Sequence, residues 1–487
     1  MGIARNSIAL AMSLVLAACG GGGSSSNNGG ATGGGSGGGT TPPPTSGCSL
    51  SARQDFVKSV IDEWYLFPNL VDNSVNKASF NNIDDYIDAL VAPARAQSRD
   101  RFFTYMTSIS EENAFNNSGS TAGFGIRLGY DTANNRVFVI EAFENGPGFP
   151  QGLDRGVEIV AVGANANALQ STTSLMASGG PSAFSAALGP SDPGVQRVMT
   201  IREVGGTERQ ITVTKADFAL DPISDRNGVR ILDDNGKKVG YVNLRTFIDP
   251  AEADLRAAFS QFRQQGVTEL IIDFRYNGGG LVFIAELMGD LMAANRVGQV
   301  FSRTTLRASK SSENETDRFG NQAQAISATK IAFIGTGSTA SASELVANAM
   351  VPYLGSNLAL VGSNTFGKPV GQFAFDRAEC DDRFRMVTFR TENASGQGDY
   401  YTGLASTFPN TCRAADDIFT PLGDPNEASI AQALAFLRGG ASVCSPISAN
   451  SAGAIASAER QRGVSGRREA LMPAVPSPAQ REVPGLF

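Results

Sequence analysis

The sequence predicts a mixed α/β protein in which a strand-and-helix core follows a β-rich middle region and a short helical region. From residue 239 onwards, apolar runs of strand length alternate with segments of helical periodicity, which is typical of a sheet covered by helices. Residues 121–215 instead combine short apolar strands with Gly-rich turns. With 487 residues, 41% of them apolar, the chain is long enough for two or three domains.

Residues 1–18 are predicted to be a secretory signal. Arg5 supplies the positive start, and the apolar run from Ile8 to Leu16 is too short to span a bilayer. The segment ends in Leu16-Ala17-Ala18-Cys19, which is typical of a bacterial lipoprotein cleavage box. Cys19 is therefore predicted to be the lipidated first residue of the mature chain. An ordinary signal cut before a small residue is the alternative.

The expected location is the cell envelope, with membrane contact through the lipid on Cys19. Gly20, rather than Asp, follows this cysteine, which by analogy with enteric bacteria favours the outer membrane, facing the periplasm or the surface. Residues 19–47 consist almost entirely of Gly, Ser, Asn and Thr, with three prolines, and are predicted to form a flexible tether.

A small helical region with a structural role is predicted for residues 48–118. Its apolar side chains recur at helical spacing in two segments. They are Phe56, Val57, Val60, Ile61 and Trp64 in the first segment, and Ile83, Tyr86, Ile87, Leu90 and Val91 in the second.

Four cysteines remain once Cys19 is assigned to lipidation. An even number in an exported chain predicts two disulfides, and three pairings are possible. We favour Cys380–Cys412, within one polar segment, and Cys48–Cys444, which would tie the ends of the folded region. Free buried thiols are the alternative.

Residues 330–372 combine a candidate nucleophile with a candidate base. The strand Ile331–Ile334 leads through small residues to Ser341 and then to a predicted helix. A second strand, Leu358–Val361, is followed by a turn that contains Lys368. A serine at a strand-to-helix turn is exposed beside unpaired N–H groups, where a nucleophile and an oxyanion-binding donor are needed together.

The composition restricts the chemistry that this serine can perform. The sequence contains no histidine, which excludes Ser-His-Asp and Cys-His mechanisms as well as histidine metal sites. Lysine is the usual substitute for histidine as the base. We predict neither a metal nor another cofactor. The net charge of −7, with no basic cluster in the folded part, also argues against nucleic-acid binding.

Two patterns in the same stretch imitate nucleotide-binding motifs and fail on inspection. Residues 335–340 resemble a dinucleotide fingerprint, but the next strand does not end in the required acidic residue. Residues 362–368 spell the phosphate-loop pattern, yet Pro369 stands where a magnesium-binding Ser or Thr is needed.

The motifs Thr339-Ala340-Ser341-Ala342-Ser343-Glu344 and Phe366-Gly367-Lys368, with Gln372, resemble those of the C-terminal processing (tail-specific) peptidases. The resemblance covers roughly residues 50–445. It implies a crotonase-like/ClpP-like α/β peptidase core over residues 217–445, with a Ser-Lys dyad. Ser341 would be the nucleophile, Lys368 the general base and Gln372 the residue that orients the lysine.

The same resemblance implies an oxyanion hole. It places an Asn-x-Gly-Gly turn, here Asn277 to Gly280, beside the nucleophile. An N–H of Gly278 or of Gly279, between which the sequence does not decide, would act with the N–H of Ala342.

Residues 119–216 resemble the PDZ domain found in such bacterial proteases. Gly123-Phe124-Gly125-Ile126 precedes a predicted hairpin, and Gly152-Leu153-Asp154-Arg155-Gly156 precedes another strand. A Gly-rich turn offers successive N–H groups to a terminal carboxylate while the peptide adds as a strand. Residues 123–126 are therefore predicted to bind peptide, with a plain structural hairpin as the alternative.

The predicted function is that of a serine endopeptidase acting on exported proteins that are unfolded or expose apolar C-terminal tails. The alternatives are a non-catalytic, PDZ-type peptide-binding lipoprotein and a serine hydrolase of non-peptide esters. Residues 446–487 are predicted to be a disordered tail. We favour a solvated segment without a partner. The alternative is that the tail, which finishes in the apolar segment Val483–Phe487, occupies its own or a neighbour's peptide groove.

Overall fold

The structure is a computed structural model that describes residues 46–447 and 468–487. The predicted signal, Cys19 and nearly all of the tether lie outside these residues. Within the described ranges, no helix has the length and apolar character needed to cross a membrane.

The secondary structure alternates as the sequence predicts. The α-helices of the described residues are α1 (Leu50–Trp64), α2 (Ile83–Ala96), α3 (Ile109–Ser118), α4 (Thr172–Leu188), α5 (Ala251–Gln264), α6 (Val282–Met292), α7 (Ala342–Leu354), α8 (Ala428–Gly439) and α9 (Pro478–Glu482). The strands are β1 (Tyr105–Ser108), β2 (Ser120–Gly123), β3 (Ile126–Asp131), β4 (Arg136–Ala142), β5 (Glu158–Gly163), β6 (Gln170–Ser171), β7 (Gln196–Arg202), β8 (Glu208–Thr214), β9 (Ala216–Ala219), β10 (Val229–Asp234), β11 (Lys237–Asn243), β12 (Glu269–Asp273), β13 (Val300–Leu306), β14 (Glu315–Arg318), β15 (Lys330–Gly335), β16 (Leu358–Gly362), β17 (Val370–Arg377), β18 (Asp382–Glu392), β19 (Thr411–Arg413) and β20 (Glu469–Ala470).

A six-stranded sheet forms the core and confirms the predicted α/β class. Its order is β10-β11-β12-β15-β16-β19, and all neighbours from β11 onwards are parallel. Strands β12 and β16 are buried along their whole length, which explains why they read as continuous apolar runs. Helices α5, α6 and α7 cover one face, and α8 covers the other. The carboxyl ends of β12 and β15 therefore meet at one edge of this sheet.

The predicted N-terminal helices are confirmed, and they pack on a second sheet. Helices α1 and α2 share a core with strand β18 of the five-stranded sheet built from β1, β13, β14, β17 and β18. In α2, Asn82 caps the helix by accepting the Asp85 N–H at 2.8 Å, and Ile83, Tyr86 and Leu90 are buried. The second sheet presents the lysine turn, which lies directly before β17.

A seven-stranded sheet occupies the β-rich middle of the chain. It has the order β20-β3-β4-β5-β7-β8, with β6 paired to β5, and α4 packs against it. Buried arginines join this sheet to the core. Arg127 donates to the Tyr276 carbonyl at 2.6 Å, and Arg155 donates to the Tyr276 hydroxyl at 3.1 Å and forms an ion pair with Asp416 at 3.1 Å. These contacts fix the middle region against the turn that follows β12.

Residues 468–487 are not a disordered tail, so this part of the prediction is wrong. Strand β20 pairs antiparallel with β3, and the last residues, Gly485 to Phe487, hydrogen-bond to the same strand. The segment lacks apolar periodicity because it forms no core of its own. It completes the otherwise open edge of β3.

Both predicted disulfide pairings are wrong, although all four cysteines are paired. The bonds are Cys48–Cys380 and Cys412–Cys444. Cys48 precedes α1 and lies beside the turn between β17 and β18 that contains Cys380. Cys412 lies in β19, and Cys444 follows α8, which packs on the same face of the sheet. Tertiary packing, rather than spacing along the chain, selects the partners.

Candidate active site

Ser341 lies at the sharp turn between β15 and α7. Its φ of 55° and ψ of −116° are unusual for a residue with a side chain, and such backbone costs about 1–3 kcal/mol. Strain of this kind persists only where the surroundings hold it. Ser341 is partly exposed, whereas the first amides of α7, beginning with Ala342, have no acceptor within the helix.

Ser343, the other serine of the motif, is turned inwards. It is fully buried, and its hydroxyl donates to the Asn277 carbonyl at 3.2 Å. Of these two serines, only Ser341 has part of its surface exposed.

The glycine turn after β12 lies against the serine turn. A Cβ on Gly279 would lie 2.7 Å from the Ser341 Cβ, and the φ of Gly279 is +122°, so only glycine fits there without strain. Asn277 shapes the turn, since its Oδ1 accepts the Gly279 N–H at 2.9 Å and its Nδ2 donates to the Leu244 carbonyl at 2.8 Å. The Gly278 N–H is not bonded to Asn277 and donates instead to the Glu482 carbonyl at 3.0 Å.

Lys368 follows β16 and faces the same cleft. Its Nζ donates to Gln372 Oε1 at 2.8 Å and lies 5.0 Å from the centre of the Phe103 ring. The Gln372 Nε2 in turn donates to the Phe103 carbonyl. The amide of Gln372 is therefore fixed in the orientation that presents its oxygen to the lysine.

Burial lowers the pKa of Lys368 below its ordinary value of 10.5. The nearby carboxylates of Glu482 and Asp100 oppose this shift, whereas the cations Arg385 and Arg481 add to it. The lysine is thus easier to deprotonate than one in water.

Glu344 ties the two turns together, a role that sequence reasoning missed. Its buried carboxylate accepts the Ser341 N–H at 3.1 Å and the Lys368 N–H at 2.7 Å on the same oxygen. The other oxygen accepts the Gly367 N–H at 2.7 Å and the Thr365 hydroxyl at 2.5 Å. Burial raises the pKa of Glu344 to about 6, although these donors act in the opposite direction. The Ser-x-x-Glu spacing of a capping box was the available signal.

Arg101 fixes the lysine turn from the other side. Its guanidinium donates to the carbonyls of Phe366 and Gly367, both at 2.6 Å, and lies 4.0 Å from the centre of the Phe366 ring. No motif surrounds Arg101, so the sequence carried no signal for this contact.

The turns that contain Ser341, Gly278 and Lys368 meet at one cleft, and Gln372 is hydrogen-bonded to the lysine. The cleft measures about 1940 Å³, and Lys368, Gly278 and Ala340 contribute to its lining. In this conformation no hydrogen bond of 3.5 Å or less joins the Ser341 hydroxyl to Lys368 Nζ among the described residues. Their backbone N–H groups nevertheless donate to one oxygen of Glu344, which fixes the two turns against each other.

The predicted peptide-binding residues lie at the start of β3, away from the serine. The Ile126 N–H donates to the Phe487 carbonyl at 3.2 Å, and the Phe487 N–H donates to the Ile126 carbonyl at 2.9 Å. A Cβ on Gly123 would lie 2.7 Å from the Phe487 carbonyl carbon, and Phe124 is fully buried. Residues 123–126 therefore form one end of a groove that holds a peptide strand of this same chain.

Across residues 46–447 and 468–487, no group of three or more cysteine and acidic side chains is arranged to hold a metal ion.

The structure thus combines a largely parallel sheet, a serine at a strand-to-helix turn and a partly buried lysine at a second turn. Residues 238–403 match the sequence profile of Peptidase family S41. This confirms the resemblance drawn from the serine and lysine motifs.

Two curated relatives carry processing-protease names. The chain is 28% identical over 172 residues to a carboxyl-terminal-processing protease of Picosynechococcus sp., a match that covers 35% of this chain and 38% of the relative. It is also 28% identical over 277 residues to the chloroplastic C-terminal processing peptidase of Tetradesmus obliquus, covering 54% of each chain. The matches thus span about half or less of the relatives' own lengths.

The fold is shared with a solved structure of a protein described as a candidate S41 protease from Bacteroides fragilis. The TM-score is 0.60 at 22% identity, and the alignment covers 79% of this chain and 97% of the other. At this identity the likeness shows the fold alone.

Proposed function

We propose that this protein is a serine endopeptidase of the C-terminal processing type. Ser341 is the nucleophile, Lys368 the general base and Gln372 the residue that orients the lysine. The observation that carries the proposal concerns the Glu344 carboxylate. One of its oxygens accepts hydrogen bonds from the backbone N–H groups of both Ser341 and Lys368, and so keeps the two turns together. This connection gives the serine a base in a chain without histidine.

The reaction runs through an acyl-enzyme. Neutral Lys368 accepts the Ser341 hydroxyl proton as Oγ attacks the peptide carbonyl carbon, and the carbonyl oxygen becomes an oxyanion. When the C–N bond breaks, the lysine ammonium returns the proton to the leaving amine. A water molecule then attacks the ester in the same way and releases the acyl product and Ser341.

Gly278 and Ala342 are the proposed oxyanion donors. The Gly279 N–H is already bonded to Asn277, whereas the Gly278 N–H points into the cleft towards a carbonyl oxygen. Ala342 opens α7, so its N–H is free of the helical pattern. Two such donors act on the charge that develops in the transition state.

The groove at residues 123–126 is proposed to receive the C-terminal ends of unfolded or tail-exposed substrates, as a PDZ domain does. The edge of β3, whose Ile126 N–H here pairs with Phe487, and its glycine-lined end suit an added peptide strand. We further propose that the protein works in the cell envelope, anchored by a lipid on Cys19.

The test is cleavage of an unfolded substrate with an apolar C-terminus by the full-length protein. We expect Ser341→Ala to lower kcat/KM by about 10³-fold or more. Ser343→Ala is the matched control and should retain most activity, because it removes one structural hydrogen bond worth about 1 kcal/mol. An active Ser341→Ala beside an inactive Ser343→Ala would show that the nucleophile is misassigned by two residues.

A further inference from the structure

The last ten residues of the sequence contact both ends of the proposed substrate path. Phe487 lies in the groove beside Gly123, and the Glu482 carbonyl takes the N–H of Gly278. These two sites are the ones assigned above to the substrate terminus and to the oxyanion.

The groove contact is extensive and apolar. Beyond the paired bonds with Ile126, the Leu128 N–H donates to the Gly485 carbonyl at 2.7 Å, so the segment adds to β3 as an antiparallel strand. Phe487 is 2% exposed and packs within the core of the seven-stranded sheet. Removing an aromatic side chain from water favours this packed position of the segment.

The segment is also shaped for this position. Ser477 caps α9 by accepting the Gln480 N–H at 3.3 Å, and the buried Gln480 amide donates to the Leu486 carbonyl at 2.9 Å. Arg481 lies 3.7 Å from the centre of the Tyr105 ring. These contacts fold the segment back between the groove and the cleft.

At the cleft, the segment opposes catalysis in two ways. The Gly278 N–H already donates to the Glu482 carbonyl at 3.0 Å, so the oxygen of a substrate can take this donor only after Glu482 has left it. The Glu482 carboxylate also acts on Lys368 and raises its pKa, which favours the protonated amine that cannot act as a base. At the cleft the segment is helical, from Pro478 to Glu482, and only residues 485–487 are paired with β3 as a strand.

We propose that residues 478–487 are a built-in competitor, with Phe487 filling the peptide groove and the Glu482 carbonyl occupying the Gly278 N–H until a substrate displaces both. The inference rests on the proposed function, because it takes the cleft to be a peptidase site. A competitor attached to the same chain acts at high effective concentration, and it raises the apparent KM by the reciprocal of the fraction of molecules whose groove is free. Substrates that displace it carry an apolar residue able to replace Phe487.

The kinetic test compares three full-length proteins: wild type, Phe487→Asp and Val475→Asp. Phe487→Asp places a charge in a buried apolar site and should release the segment, lowering KM by about tenfold or more with little change in kcat. Val475→Asp introduces the same charge three residues before the segment, at a side chain that is 81% exposed, so it should leave both constants unchanged. Equal KM values in all three proteins would overturn the proposal.

A binding test separates this inference from the peptidase assignment. A fluorescent peptide with the sequence of residues 477–487 should bind, as measured by anisotropy, to full-length Phe487→Asp, whose own segment is released. The same peptide with Asp in place of Phe487 should bind at least about tenfold more weakly. If no variant cleaves substrate but the peptide binds, the proposed function fails and the contact stands. If the peptide does not bind to Phe487→Asp, the inference is wrong whatever the activity.

Mass spectrometry of the full-length protein supplies a third outcome. The competitor should remain intact during turnover of a substrate. Loss of Val483–Phe487 would identify the segment as a substrate instead and would overturn the proposal.

Discussion

Lys368 must lose its proton before it can act as a base, and its surroundings set the pH at which it does so. Burial lowers the pKa of this amine, as do the cations Arg385 and Arg481, while Asp100 and Glu482 raise it. The net direction is downwards from 10.5. The neutral form therefore becomes available at a lower pH than for a lysine in water, where about one in 10³ is neutral at pH 7.

We accordingly expect kcat/KM to rise with pH through one ionisation whose midpoint lies below that of an ordinary lysine. The profile can be measured from about pH 5 to 10 with an uncharged peptide substrate. Lys368→Arg is the matched variant, because it keeps the positive charge but does not deprotonate in this range. It should be inactive throughout. A profile controlled by a group near pH 4 would instead indicate a carboxylate base.

The variant Gly279→Ala tests how closely the glycine turn must approach Ser341. Gly279→Ala would bring a methyl group to 2.7 Å from the Ser341 Cβ at a φ of +122°, so we expect a loss of about 1–3 kcal/mol in stability and a fall in kcat of about 10²-fold. Gly337→Ala is the control, since a Cβ there meets no atom within 4 Å. Thermal unfolding and initial rates measure both effects. Equal behaviour of the two variants would contradict the proposed packing.

The serine turn connects strand β15 to helix α7, and the lysine turn connects strand β16 to strand β17. Glu344, in the first turn of α7, joins the two turns. Each oxygen of its carboxylate accepts two hydrogen bonds from donor groups. Glu344→Gln replaces one oxygen by an NH₂ group, and in either orientation of the amide this group would face two N–H or O–H donors.

We therefore expect Glu344→Gln to lower the free energy of unfolding by about 1–3 kcal/mol and to reduce kcat more than it raises KM. Glu313→Gln, at an exposed position, is the control and should change neither quantity. Denaturant unfolding together with steady-state kinetics measures both. Wild-type kcat in Glu344→Gln would show that the carboxylate does not position the dyad.

Local pattern was sufficient to predict the elements of the core. Strands such as β12 and β16 are buried on both faces, so their apolar runs are visible without any knowledge of neighbours. The Ser341 and Lys368 turns were also visible, because each carries a short motif. The sequence did not decide whether Gly278 or Gly279 is the proposed oxyanion donor, because that depends on where the Asn277 side chain lies in three dimensions.

Contacts between distant parts of the chain could not be predicted in the same way. The pairing of Cys48 with Cys380 spans 332 residues, and nothing near either cysteine distinguishes it from the other pairings. The ordered structure of residues 468–487 was missed for a related reason. This segment is stabilised by the edge of β3 rather than by its own sequence pattern.

Under the proposed function, several regions contribute to one path for a peptide. The glycine turn of the core, the lysine turn of the second sheet and several of residues 478–487 line one cleft, and Phe487 also lies in the groove on the seven-stranded sheet. The buried contacts of Arg127 and Arg155 with Tyr276 hold the groove against the core. Recognition and cleavage are therefore expected to act on the same bound chain.

The central claim is that Ser341 forms the acyl-enzyme, and trapping that intermediate tests it most directly. The full-length protein should be mixed with a peptide substrate, quenched in acid within the first turnover, digested and analysed by tandem mass spectrometry. The account predicts an acyl group on Ser341, absent from Ser341→Ala and present in Ser343→Ala. An acyl group on another residue, or undiminished cleavage by Ser341→Ala, would contradict it.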